Sequence, residues 1–232
     1  MPFDIVGLAL WLVAFVLSAT CHEAAHALVA RWGGDPTAYQ AGQVTLNPLP
    51  HMRREPFGMI VVPLVCYAMA GWMIGWASAP YDPLWAHRHP RRAGLMAAAG
   101  PVANFLLAAL AIVAIRLLVV AGVGAPPEEA TFERLVTPLA SDALVVALTR
   151  FLSILALLNA LLGVFNLVPL PPLDGSAVLE GFGGAGVVRV MDAIRSMPFA
   201  GLIGLLVAWR IFDHVAPYVW VGVLHLVHPG LY

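Results

Sequence analysis

Long apolar stretches alternate with short polar ones along this chain. Residues 4–31, 57–78, 94–121 and 143–168 are nearly all apolar, and 199–228 is apolar but interrupted by Arg210, Asp213, His214 and Pro217. A mixed segment at 35–56, polar ones at 79–93 and 122–142, and a Gly-rich, amphipathic one at 173–198 separate them. A helix that crosses a bilayer needs about 20 apolar residues, so each stretch is long enough to be membrane-associated. The first ends at Arg31, Trp32 and Gly33-Gly34, and the fourth runs into Pro169, Pro171 and Pro172. Between the first two, Gln43-Val44-Thr45-Leu46 reads as a short strand that Asn47-Pro48-Leu49-Pro50 stops. The expected fold is an all-α membrane protein, a polytopic helix bundle with a small strand-like or re-entrant element near residues 40–50.

Composition supports this. Apolar residues make up 61% of the 232 positions and charged residues 11%, where a soluble domain has about half and a quarter. Too few charges remain to cover a water-facing surface. The net charge of −1 leaves no basic field for nucleic acid. Cys21 and Cys66 lie in separate apolar runs and read as buried free thiols. Asp4 is the only charge before Glu23, and the apolar run continues into His22 without a cleavage site, so the N-terminus reads as a retained helix.

The first stretch carries His22-Glu23-Ala24-Ala25-His26 near its end. On a helix, residues i and i+4 lie about 40° apart around the axis, so both imidazoles can reach one metal ion. Glu23 points about 100° away, suited to a water on that metal rather than to the metal itself. In a soluble chain this motif often means two surface histidines. Three ionisable groups in an apolar helix are costly to bury unless they serve something. Catalytic zinc usually takes three protein ligands and a water, so a third ligand is needed. Asp174, in Pro171-Pro172-Leu173-Asp174-Gly175, is the outstanding candidate among the apolar parts. Alone it would read as an ordinary turn at a membrane surface.

Together these elements resemble the site-2 protease family of intramembrane zinc metalloproteases. That family carries H-E-x-x-H on one membrane helix and an N-x-x-P-x-x-x-x-D-G-like motif on a later one, here His22 to His26 and Asn166 to Gly175. Gly100-Pro101-Val102-Ala103-Asn104 is a third family-like element, and the resemblance covers roughly 5–180. It implies one Zn2+ ion on His22, His26 and Asp174, with Glu23 activating the water. It implies a substrate backbone beside Asn166 and Asn104; helix packing through an interhelical hydrogen bond is the other reading of Asn104. Thr45 to His51 looks like a small bacterial branch without regulatory domains, but Arg53-Arg54 intervene before Glu55-Pro56-Phe57-Gly58, so no role passes to His51. The expectation is a single domain, 1–232, with a catalytic core at about 4–180 and a C-terminal membrane-associated segment at about 199–228. It would sit as a multi-pass protein in a bacterial cytoplasmic membrane and cleave a membrane protein or peptide in or near a transmembrane segment, with a homodimer as one option for its assembly.

Charge suggests a topology. With 4–31 and 143–168 both ending in the cytoplasm, the acidic 122–142 loop lies outside, and Arg31, Arg53, Arg54, Arg88, Arg91 and Arg92 lie inside. Segment 57–78 must then begin and end inside, as a re-entrant piece or a hairpin bent near Gly71-Trp72. The alternative function is a membrane metal transporter or metal sensor, prompted by eight histidines. An ion path, however, needs ionisable groups spread through the membrane, and here they cluster at one depth. An inactive scaffold for membrane helices would have no need of the intact cluster.

Overall fold

A computed structural model describes residues 4–231. Helix α1 spans Ile5–Trp32; the Asp4 side chain accepts the Gly7 N–H at 2.8 Å and caps its start. Short helices α2 (Thr37–Gln40) and α3 (Pro48–Arg54) follow, then a π-helical turn, Phe57–Val61, leading into α4 (Val62–Ala70). Next come α5 (Pro83–Arg88) and α6 (Pro90–Val120), and a two-residue antiparallel pair, β1 (Gly124–Ala125) with β2 (Thr137–Pro138). The chain closes with α7 (Ala143–Asn166), α8 (Asp174–Arg195) and α9 (Ala200–Val227). Four of these helices, α1, α6, α7 and α9, are long and apolar enough to cross a membrane, so this is a multi-pass membrane protein.

Contacts fix the helix directions. His22 meets Asn104 and His26 meets Met96, so α6 runs antiparallel to α1. Asp4 meets Arg150 and Ser18 meets Asn159, so α7 runs parallel to α1. His228, just beyond α9, meets the Leu135 carbonyl at 2.7 Å, at the end where α1 and α7 begin. The core between the helices contains Trp11, Phe15, Ile115, Ile154 and Leu157, each nearly fully buried. Outward positions such as Leu110, Val113, Leu117 and Leu206 stay apolar and exposed. A surface of that kind suits lipid rather than water.

Segment 57–82 leaves one end of the bundle and returns to it. Its far reach is marked by the Tyr67 hydroxyl, which donates to the Asp4 carbonyl at 3.2 Å. The chain turns at Gly71, whose φ of 77° is a conformation that glycine adopts without penalty. On the way back Trp76 N–H bonds to Gly58 O, Ser78 Oγ to Glu55 Oε1, and Asp82 N–H to Asp35 Oδ2. The return limb, 73–82, has no regular structure. The structure therefore has the hairpin through Gly71-Trp72 that charge and parity demand.

The expected strand at 43–46 does not form; these residues make turns. Side chains there take over the backbone groups that a strand would pair. Thr45 Oγ1 accepts the Asn47 N–H and Asn47 Oδ1 accepts the Leu49 N–H, both at 3.1 Å. Ser, Thr, Asn and Asp often compete with regular structure in this way. The described pair of strands instead joins the two ends of the 122–142 loop.

Candidate metal centre

His22, Glu23 and His26 lie on the last three turns of α1, each more than nine-tenths buried. The four-residue spacing puts both imidazoles on one face, with Nε2 atoms 2.9 Å apart. Asp174, the first residue of α8, approaches the same point: its Oδ2 lies 3.1 Å from His22 Nε2 and 3.3 Å from His26 Nε2. Asp174 thus brings a carboxylate oxygen to the two ring nitrogens.

The far side of each ring decides what the near side offers. His26 Nδ1 lies 2.7 Å from the Met96 carbonyl, which can only accept, so this nitrogen carries the proton. His22 Nδ1 lies 2.6 Å from Asn104 Oδ1, also an acceptor. A neutral imidazole with its proton on Nδ1 presents a lone pair at Nε2. Two lone pairs and a carboxylate oxygen thus face one another at close range. That arrangement is repulsive unless a cation lies between them. The edges of 2.9 to 3.3 Å match a tetrahedral zinc site, where ligand bonds of about 2.0–2.1 Å give edges of roughly 3.3 Å. The residues present fit a zinc ion.

Gly100 of α6 makes room for this point. A Cβ there would lie 2.5 Å from His22 Nε2 and would also strike His26. Beside it, Pro101 interrupts the α6 hydrogen-bond ladder next to the centre. The carboxylate of Glu23 and the nitrogens of His22 and His26 all lie within 4.8 Å of one another. Glu23 is therefore near the two imidazoles.

The two residues expected beside a substrate both have partners within the chain. Asn104 is wholly buried, with Oδ1 on His22 and Nδ2 on Asn159. That is the interhelical bond reading, extended to the His22 ring. Asn166 is half-buried and gives an amide N–H to Leu162 O of its own helix at 3.0 Å. His51 is buried and bonds the Thr45 carbonyl, holding the 45–51 turn together. Sequence reasoning passed over the Met96 carbonyl, Asn159 and Ser18, and it named Gly100 in a family-like element without placing it at the centre. Only Asn159 had left a signal, as the lone amide in the middle of an apolar helix.

The sequence matches the profile described as peptidase family M50 over residues 10–205. The chain belongs to peptidase family M50. It is 36% identical over 196 residues to YwhC of Bacillus subtilis (strain 168), named as a candidate zinc metalloprotease, covering 84% of this chain and 78% of that one. To Rip2 of Mycolicibacterium smegmatis (strain ATCC 700084 / mc(2)155), named in the same way, it is 29% identical over 210 residues, covering 89% and 70%. Rip2 of Mycobacterium tuberculosis (strain ATCC 25618 / H37Rv) is 32% identical over 181 residues, covering 77% and 60%. No solved structure matches the chain. The M50 match contains all four residues of the cluster: His22, Glu23, His26 and Asp174.

Proposed function

We propose that this M50 member is a zinc metalloendopeptidase that cuts a peptide bond in or near a transmembrane segment of a membrane protein. The observation that carries the reading is the convergence of His22 Nε2, His26 Nε2 and Asp174 Oδ2, with tautomers that leave both nitrogens as donors of lone pairs. In this reading one Zn2+ ion is held by those three atoms. Such an ion supplies a Lewis acid and brings the pKa of its bound water toward neutrality. Glu23 takes the proton of the attacking water and later passes it to the departing amide nitrogen, so that each cleavage consumes one water. Asn104 holds the His22 ring. The surrounding apolar helices keep bulk water out, which strengthens the charge interactions at the centre.

The substrate class follows from the site's surroundings. The cluster sits on a membrane-length helix, about 9 Å along the axis from the Trp32 end of α1. A scissile bond reaching it must come from a segment already in the bilayer or at its face. A helix has its carbonyls hydrogen-bonded, so local unwinding must precede attack, and helix-breaking residues near the cut are expected. The resemblance to the small bacterial branch points to a bacterial cytoplasmic membrane.

Glu23→Gln tests the assignment. The variant is expected to keep zinc and lose cleavage by several orders of magnitude. Membrane proteomics of cells with wild type or Glu23→Gln should reveal the accumulated precursor. Cleavage by Glu23→Gln at the wild-type rate would remove Glu23 as the base. Purified wild type without stoichiometric zinc would remove the metal reading.

A further inference from the structure

The polar chain behind His22 does not stop at Asn104. Asn104 Nδ2 donates to Asn159 Oδ1 at 2.8 Å. Asn159 Nδ2 donates to Ser18 Oγ and to the Leu155 carbonyl, both at 2.8 Å. Ser18 Oγ donates to the Ala14 carbonyl at 2.6 Å. The chain links α6, α7 and α1, and Asn104, Asn159 and Ser18 are each 0% exposed. No solvent reaches it to replace a lost partner.

Direction is the important property of this chain. The two ends of an amide are alike in shape and opposite in hydrogen bonding. If Asn104 turned over, it would present Nδ2 to His22. Nδ1 would then have to accept, and the His22 proton would move to Nε2, the atom that faces His26 and Asp174. What prevents the turn is Asn159, whose Oδ1 can only accept and so selects Nδ2 of Asn104. Asn159 is held in turn by the Leu155 carbonyl, which accepts only. The Ser18 hydroxyl spends its proton on the Ala14 carbonyl and shows Asn159 a lone pair. Two backbone carbonyls thus fix the polarity of the whole chain, and the polarity is read out at His22 Nε2.

We infer that Asn159 and Ser18 are positioning residues: through Asn104 they fix the tautomer of His22 and so set the affinity of the centre for its metal. The inference rests on the metal reading above. A purely structural role, as polar contacts between membrane helices, makes a different forecast. It would cost stability and leave metal affinity alone.

The test measures zinc affinity of the purified full chain by chelator competition, alongside thermal unfolding, in two backgrounds. In the wild-type background Asn159→Leu removes the acceptor that orients Asn104. Zinc affinity is expected to fall about tenfold, the usual scale for losing an outer partner of a metal-binding histidine. In the Asn104→Asp background the residue at 104 offers an acceptor oxygen whichever way it turns. There Asn159→Leu is expected to cost no affinity, although it costs the same stability. Ser18→Ala, a gentler change, should give a smaller loss that also vanishes in the Asn104→Asp background. It carries the comparison if Asn159→Leu does not fold. Unchanged affinity in the wild-type background, or an equal loss in both backgrounds, overturns the inference. A wild type that binds no zinc instead overturns the metal reading.

Discussion

At the scale of single residues, the centre depends on one position with no side chain. Gly100 lies in the interior of α6, where glycine costs up to about 1 kcal/mol relative to alanine. Gly100→Ala should therefore stabilise the helix if propensity alone mattered. The added Cβ, however, would occupy the space between the His22 and His26 Nε2 atoms. The expected outcome is a folded, fully helical protein whose zinc content, measured by elemental analysis, falls at least tenfold. Normal zinc content would show that the rings can move aside. His22, Glu23 and His26 could be read from their spacing because the helix repeat alone places them. The Asn104, Asn159 and Ser18 chain could not, since each comes from a different helix and nothing in the sequence says which faces meet. Asn104 shows the difference: its type and place suggested either a substrate contact or a packing bond, and its bonds to His22 and Asn159 are seen only in the tertiary structure.

At the scale of elements, the polar connections hold the long helices in register. Asp35, 1% exposed, lies just after α1 and joins it to the start of α5. Its carboxylate accepts Thr37 N–H at 2.9 Å, Thr37 Oγ1 at 2.5 Å and Asp82 N–H at 2.8 Å. Burial raises its pKa, and the bonds from Thr37 and Asp82 more than reverse this, leaving it below the ordinary 3.8. A lowered carboxyl pKa adds stability above the unfolded value, and this is lost as pH falls through the folded one. Asp35→Ala strands buried donors and should cost about 1–3 kcal/mol in chemical unfolding at about pH 7. The difference from wild type should shrink at about pH 3; a difference independent of pH would count against the role of the charge. At the opposite end Arg150 of α7 joins Asp4 and Glu133, and Trp11 Nε1 donates to Glu133 at 2.6 Å. The expected strand at 43–46 fails at this scale too. Alternating apolar residues suggested it, but Thr45 and Asn47 bond to nearby backbone before any partner strand could.

At the scale of the whole molecule, four long helices and one returning hairpin give the chain its sidedness. Leu84, in α5, and Leu144, in α7, are both well exposed and belong to opposite ends of the bundle. In a background without Cys21 and Cys66, Leu84→Cys should react with an impermeant thiol reagent from the same side as Arg53→Cys. Leu144→Cys should react from the other side. Labelling of Leu84→Cys from the Leu144 side would mean that 57–82 crosses rather than returns. Parity had required the return, because charge put both flanks of 57–78 on one side. The sequence by itself determined what depends on neighbours along the chain: apolar lengths matched to a bilayer, the helical spacing of His22 and His26, and an acidic residue after a run of prolines. Tertiary structure alone decided what depends on residues far apart in the chain. It brought Asp174 to the two imidazoles across about 150 intervening positions, opened the space at Gly100, and ran a one-way line of hydrogen bonds through three helices to the back of His22. The physical reason is that helix periodicity is a local property of the backbone. Which amide meets which ring is set by how separate helices pack, and few polar groups in an apolar interior have any other partner.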